Sequence, residues 1–311
     1  MTLDMATLVQ GWRAAPHISA RSVLVTILGD ALLPVSKSAW LSQLFKLAAP
    51  YDFSSRLVRT SLFRLADEGW VTSERHGRQS KCILTPFGER EFADAAAQIY
   101  SNDRPALDGQ WTLVLFDGAR TSARERDKLA RHLGWHGFVA LERGVLASPI
   151  CGAETVRQIL AEAFPQVLSA VAEAEFPDIG VLVQEGFFAS AFAFDEIEKA
   201  YRSFVDTYAE LDDGLAKLSP MDAYCARTML IHDLRRITLR MPPLPGELLP
   251  TPWFGDEAYS LAAHLYPQLC SASAALLGEI LQLDYPALIP SRFLDGAPPA
   301  RRRNAARGVD A

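Results

Sequence analysis

Arg56, Arg59 and Arg64, with Ser55 and Thr60 among them, are the residues whose type and spacing most plainly offer chemistry. A guanidinium is a planar fork that bonds two acceptors on a guanine edge and also pairs with phosphate. At ~100° per residue, the stretch Phe53 to Glu68 places Arg56, Thr60, Phe63 and Arg64 on one helical face and Val58, Leu62 and Leu65 on the other. Arg59 and Ser55 flank the first face near the helix start, where a recognition helix meets base edges. Past Gly69 come Arg75, His76, Arg78 and Lys81, groups suited to holding phosphates. Between Phe53 and Lys81 six Lys and Arg stand against three acids, whereas the whole chain has 31 basic and 37 acidic residues and a net charge of −6. That balance excludes a uniformly basic nucleic-acid coat and leaves a local basic footprint. The plain alternative is an ordinary solvated helix face in a module for protein contacts. Phe63 either touches a thymine methyl or packs against another part of the protein.

These side chains need a scaffold. Two short helical stretches between Ile18 and about Leu47, punctuated by Pro34 and Ser36, precede the basic helix. After it, Trp70 to Arg75 and Lys81 to Leu84 read as two strands joined by a glycine turn. Three helices and a hairpin make the winged helix-turn-helix plan, and Pro86 to Tyr100 reads as a tail helix. Beyond a linker at Ser101 to Gly109, Trp111 to Phe116 is a buried-strand run, and Ser122-Ala123-Arg124-Glu125 is a capping box opening a helix. A hairpin at Phe138 to Leu141 and Gly144 to Ala147, a helix at Glu154 to Phe164 and a strand at Ile179 to Val183 complete a βαββαβ order, the ferredoxin-like one. From Phe194 the pattern is helical, with Asp195 as one cap and Ser219 before Pro220 as another.

The expected fold class is therefore α+β: a winged helix at 18–100, a ferredoxin-like middle at 108–188, a helical C-terminal domain at 192–285 and a disordered tail at 286–311. With 49% hydrophobic residues the chain has ample material for cores. Cys82, Cys151, Cys225 and Cys270 form no C-x-x-C pair, which supports neither a zinc cluster nor a disulfide scaffold and fits reduced thiols in the cytoplasm. The first residues read against a secretory signal, and no apolar stretch reaches the ~18 residues of a membrane span.

Ser19-Ala20-Arg21-Ser22, the run Ser55 to Leu65, Gly69-Trp70 and Leu84-Thr85-Pro86-Phe87-Gly88 resemble the PaaX family, repressors of phenylacetate catabolism. Arg227 to Arg236, Leu244 to Pro250 and Trp253 resemble that family's C-terminal domain. The resemblance implies a homodimeric cytoplasmic repressor, free of cofactors, that leaves double-stranded operator DNA when an aryl-acyl-CoA such as phenylacetyl-CoA binds. The family's central domain is in turn similar to a ferredoxin-like CRISPR adaptation endonuclease. This raises the alternative of a metal-dependent nuclease, because Asp117 follows the first strand where those enzymes hold a metal-binding aspartate. Against it, Asp117-Gly118 is also a common turn signal, and neither Glu142 nor Asp178 has a ligand spacing to it.

A CoA thioester needs cations for its phosphates and an apolar slot for its acyl part. The helix from Pro220 is expected to bury Ala223, Ala226, Leu230, Leu234 and Ile237 and to project Thr228, His232, Arg235 and Arg236, with Arg227 beside the core stripe. Arg227, His232, Arg235, Arg236 and Trp253 are the effector candidates, and Phe254, Trp111, Trp135 and Phe187 complete the aromatic pool for the slot. Salt bridges within the protein are the competing role for the arginines.

Overall fold

A computed structural model describes residues 5–15, 18–106, 109–134, 136–175, 192–241, 243–289 and 292–293. In chain order the elements are α1 (Met5–Arg13), α2 (Ala20–Thr26) continuing into a π-helical turn (Ile27–Leu32), β1 (Ser38–Trp40), α3 (Leu41–Ala48) and α4 (Ser55–Asp67). Next come β2 (Val71–His76), β3 (Gln79–Leu84), α5 (Pro86–Ile99), β4 (Gln110–Phe116), α6 (Ala123–Gly134), β5 (Val139–Glu142), β6 (Val145–Ser148), α7 (Ala153–Ala163) and β7 (Ser169–Glu175). The remainder is α8 (Phe194–Tyr208), a 3-10 stretch (Ala209–Lys217), α9 (Pro220–Thr238), a short turn (Gly246–Leu248) and α10 (Phe254–Leu281). The chain forms two compact units. One comprises Met1–Arg90, Val205–His232 and Asp256–Ala311, and the other Glu91–Phe204 and Asp233–Gly255. The stretch 192–285, read from the sequence as one helical domain, thus contributes to both units. No helix among the described residues is long and apolar enough to cross a membrane.

In the first unit, local signals fix the ends of α4. The Ser54 hydroxyl accepts the Leu57 N–H at 3.2 Å. At the far end Gly69, at φ 81°, lets the Trp70 N–H return to the Leu65 carbonyl and its own N–H to the Ala66 carbonyl, closing the helix. Val58, Leu62 and Leu65 point inward as their spacing requires. The hairpin β2–β3 turns at Gly77-Arg78, with His76 opposite Gln79 and Gly77 at φ 61°, and β1 adds to β3 to give the order β1-β3-β2. Thr85 then donates its hydroxyl to the Gly69 carbonyl and accepts the Gly88 N–H, fastening the start of α5 to the base of the hairpin. A Cβ at position 88 would run into the Trp70 carbonyl, so only glycine fits there.

In the second unit β4 to β7 form an antiparallel sheet of order β5-β6-β4-β7. Val114, Leu129, Leu133, Phe138, Leu146, Val156, Leu160 and Phe164 join sheet and helices in one core. The capping box at α6 is present: the Ser122 N–H donates to Glu125 Oε2, and Ser122 Oγ accepts the Glu125 N–H. The last strand among the described residues is Ser169–Glu175, a stretch not expected as a strand, paired along its length with β4; the expected Ile179 to Val183 lies outside the described residues. β7, at the sheet edge among the described residues, is rich in alanine and glutamate, which strand propensity scores poorly beside an Ile-Gly-Val-Leu-Val run.

The chain beyond α10 also departs from expectation. Ile289 and Phe293 are buried, so the opening of the segment expected to be a disordered tail is packed, and residues 294–311 lie outside the described residues. All four cysteines are free thiols. Burial pushes the Cys82 and Cys270 thiols up to about 11 and Cys225 up to about 12, while half-buried Cys151 is raised as well. Because the thiolate is the nucleophile, iodoacetamide at neutral pH should modify Cys151 first. The other three should react only on unfolding, which peptide mass spectrometry after a short pulse checks; modification of Cys225 as early as Cys151 would contradict the packing.

Candidate functional sites

The basic face of α4 is open. Ser55, Arg56, Arg59, Thr60, Phe63 and Arg64 are all exposed, Phe63 by 73%. Arg56 and Arg64, and Arg75 and Arg78 on the hairpin, pair with no acid among the described residues. The others are braced. The Arg59 guanidinium stands 5.1 Å from the Phe45 ring centre, and the Lys81 ammonium 5.6 Å from that of Trp40. His76 meets the edge of Trp40 at 5.5 Å and lies 3.4 Å from Glu74, and the Thr60 hydroxyl donates to the Arg56 carbonyl at 3.0 Å. Nearby acids are engaged elsewhere: Arg21 pairs with Glu68 and Arg13 with Asp52. The two basic elements, α4 and the hairpin, belong to one unit, so cations separated by a turn in sequence are carried by one scaffold.

The effector candidates are placed quite differently. From Ala223 to His232 every position of α9 is buried, so Thr228 and His232 do not project on a polar face. The correction has a physical cause: the helix is enclosed on all sides, and a one-face period does not apply to such a helix. The His232 ring takes a hydrogen bond of 2.9 Å with the Ser22 hydroxyl and meets Trp12 edge-on at 5.0 Å. Arg227, with no exposed surface, donates from Nε to Asp30 at 2.7 Å and from Nη2 to the Asp30 carbonyl at 3.0 Å. Burial opposes its charge, and the Asp30 carboxylate outweighs burial and holds the guanidinium protonated well above its ordinary value.

In the second unit Arg235 and Arg236 are half-buried, and burial pulls the Arg236 pKa down against the opposing pull of Asp233. Trp253 is buried edge-on against Phe194 and Tyr201, at 5.9 and 5.7 Å. The ring of Phe254 carries the Arg202 guanidinium at 3.7 Å, and Trp111 is core. Trp135 and Phe187 lie outside the described residues.

Around Asp30 is a cluster that sequence reasoning missed. Asp30 is 3% exposed, and its carboxylate accepts from Arg227, from the Tyr266 hydroxyl at 2.7 Å and from Arg292 at 2.5 Å. Tyr285 accepts from Arg227 at 3.2 Å and donates to the Ala31 carbonyl at 2.9 Å. The signal available was a single acid inside the apolar run Val23 to Leu33, since a buried carboxylate requires a cation. Its partners come from far along the chain, and nothing local names them.

Asp117 caps a turn. Its Oδ1 accepts the N–H groups of Ala119 and Arg120 at 2.9 and 3.0 Å, and its Oδ2 lies 3.3 Å from Arg120 Nε. Glu142 lies at the end of β5, and Asp178 falls outside the described residues. Among the described residues no group of three or more His, Cys, Asp or Glu side chains could hold a metal ion.

A protein from Escherichia coli described as "Transcriptional repressor PaaX" is 32% identical over 278 residues, covering 88% of this chain and 87% of that protein. The chain belongs to the PaaX family. Three PaaX profiles match along it: PaaX-like protein over 19–86, the PaaX protein central Cas2-like domain over 104–178, and the PaaX-like protein C-terminal domain over 192–279. Among solved structures, the uncharacterized protein Rv0674 from Mycobacterium tuberculosis shares the fold, with a TM-score of 0.53 and 19% identity over 85% of this chain and 99% of that one. The run Leu84 to Gly88, on which part of the resemblance rested, now has a structural account in the Thr85 bonds and the glycine at 88. Arg227 within the C-terminal PaaX match likewise has one, as the partner of Asp30.

Proposed function

We propose that this chain is a DNA-binding transcriptional repressor, with a winged helix-turn-helix in its first segment and a ferredoxin-like domain in its middle. The observation that carries the reading is the exposed basic face of α4 continued by the hairpin cations, on a chain whose net charge is −6. Kinship with a protein described as a transcriptional repressor supports it. So do the helix, strand and hairpin order around the sheet β1-β3-β2, and the order β5-β6-β4-β7 in the middle sheet.

In this reading α4 enters the major groove with Arg56, Arg59, Thr60 and Arg64 at base edges and Ser55 at the rim, while Arg75, His76, Arg78 and Lys81 hold phosphates. The repressor acts in the cytoplasm as a homodimer, because one reading helix covers one half-site and a two-fold protein matches a palindromic operator. It governs an aromatic-acid operon of the phenylacetate type and leaves it on binding an aryl-acyl-CoA such as phenylacetyl-CoA. Arg235 and Arg236 are the cations offered to the CoA phosphates and Trp253 the wall offered to the acyl group. Arg227 and His232, sealed among the helices, influence release through packing.

Gel-shift titration on the chain's own upstream DNA tests the proposal. Arg56→Ala and Arg59→Ala should each weaken operator binding by about 1–3 kcal/mol and relax specificity at one position. Arg78→Ala should weaken all sequences alike and reduce the salt slope by about one. Phenylacetyl-CoA should release the complex and free phenylacetate should not. Unchanged operator affinity in both α4 variants, with the fold intact, would take the reading role away from this helix.

A further inference from the structure

Phe63 is 73% exposed, makes no ring contact with any described aromatic residue, and belongs to a helix that buries Val58, Leu62 and Leu65 and leaves Leu57 44% exposed. Of the two roles its sequence allows, packing against another part of the chain finds no support among the described residues. Counted at ~100° per residue, Phe63 lies about 20° from Arg56, with Arg59 on one side of it and Thr60 and Arg64 on the other. A large apolar ring is thus framed by four groups that bond phosphate or base edges. A polyanion drawn to those arginines necessarily brings its own surface against the ring. The major-groove edge of a duplex has one prominent apolar feature, the C5 methyl of thymine.

We infer that Phe63 is a specificity-determining residue that reads a thymine methyl in each half-site of the DNA bound by α4. The inference rests on the proposed DNA-binding function and adds to it an apolar base contact that the arginines cannot supply. Arg56 and Arg64 fix the register through acceptors on the duplex, and the ring then discriminates at one position by whether a methyl is there to cover. Because the side chain is exposed, its removal leaves the core of α4 untouched.

The experiment uses the full-length protein and a duplex recovered by selection from a random-sequence pool. Each thymine is replaced singly by deoxyuridine, which removes only the methyl, and binding is measured for the wild type and for Phe63→Ala. One deoxyuridine per half-site should weaken the wild type roughly fourfold, the equivalent of about 0.8 kcal/mol for one buried methyl group. Phe63→Ala should lose at least as much on the thymine duplex and nothing further on that deoxyuridine duplex, so the two losses are not additive. Equal affinity of wild type and Phe63→Ala on every duplex would overturn the inference. So would losses that add at every thymine, since the ring would then be touching something other than a methyl. If selection recovers no duplex at all, the DNA-binding reading itself fails, an outcome distinct from tight binding that ignores Phe63.

Discussion

Asp30→Ala should destabilise the protein by about 3–5 kcal/mol, because it leaves buried charges without their counterion. Asp30 is the acceptor for Arg227 and Arg292, whose side chains are 0% and 7% exposed, and for the Tyr266 hydroxyl. Asp30 is the carboxylate that both guanidiniums bond, so removing it takes a buried ion pair from each. The cluster is not optimally satisfied even when intact, since Nη1 of Arg227 has no hydrogen-bond partner among the described residues. Replacing Asp30, Arg227 and Arg292 together by apolar side chains of similar volume should therefore restore much of what the single variant loses. Asp30 lies on the turn that continues α2, and α2 packs on α4, so operator affinity should fall with stability in Asp30→Ala. Urea unfolding of the three proteins decides the matter: an unfolding free energy for Asp30→Ala within about 1 kcal/mol of wild type would mean that the cluster does not hold the helices together.

What was legible before the structure follows from the range of the forces involved. α4 was legible because its Val58, Leu62 and Leu65 stripe, its serine cap and its Gly69 stop act within one helix. The hairpin was legible because a glycine turn fixes its register locally. The exposure of Arg56, Arg59, Thr60 and Arg64 followed from the same period. α9 was misread because periodicity identifies a helix with one wet side, and this helix has none over Ala223 to His232. His232, expected on a wet face, bonds Ser22 instead, and Arg227, expected beside the core stripe with a salt bridge as its competing role, bonds Asp30. Those contacts join residues 210 and 197 positions apart, and Arg292 reaches Asp30 across 262. No local pattern encodes a pairing at that distance, although the lone acid in an apolar run marks one end of it. β7 is not legible in the sequence for a related reason: its pairing with β4, rather than the propensity of its alanines, makes it a strand.

The segment after α10 gives the other large effect, and it separates a packed Phe293 from an unpacked one. Pro- and Ala-rich composition from residue 286 predicts no core role, and under that reading Phe293→Ala is silent. In the structure Phe293 is 4% exposed and its ring stands 5.2 Å from that of Tyr266 and 5.4 Å from that of Tyr259. Removing a buried phenyl ring should destabilise by about 3–5 kcal/mol. Ile289→Ala should follow with about 2 kcal/mol. The neighbour of Phe293 is Arg292, which donates to the Asp30 side chain and to the Gly29 carbonyl at 2.7 Å. Losing the ring removes the packing of the residue next to that arginine, so Phe293→Ala and Asp30→Ala should be less than additive when combined. Urea midpoints for the two single variants and the pair test this, and a Phe293→Ala protein with the wild-type midpoint would return the segment to the disordered class its composition suggests.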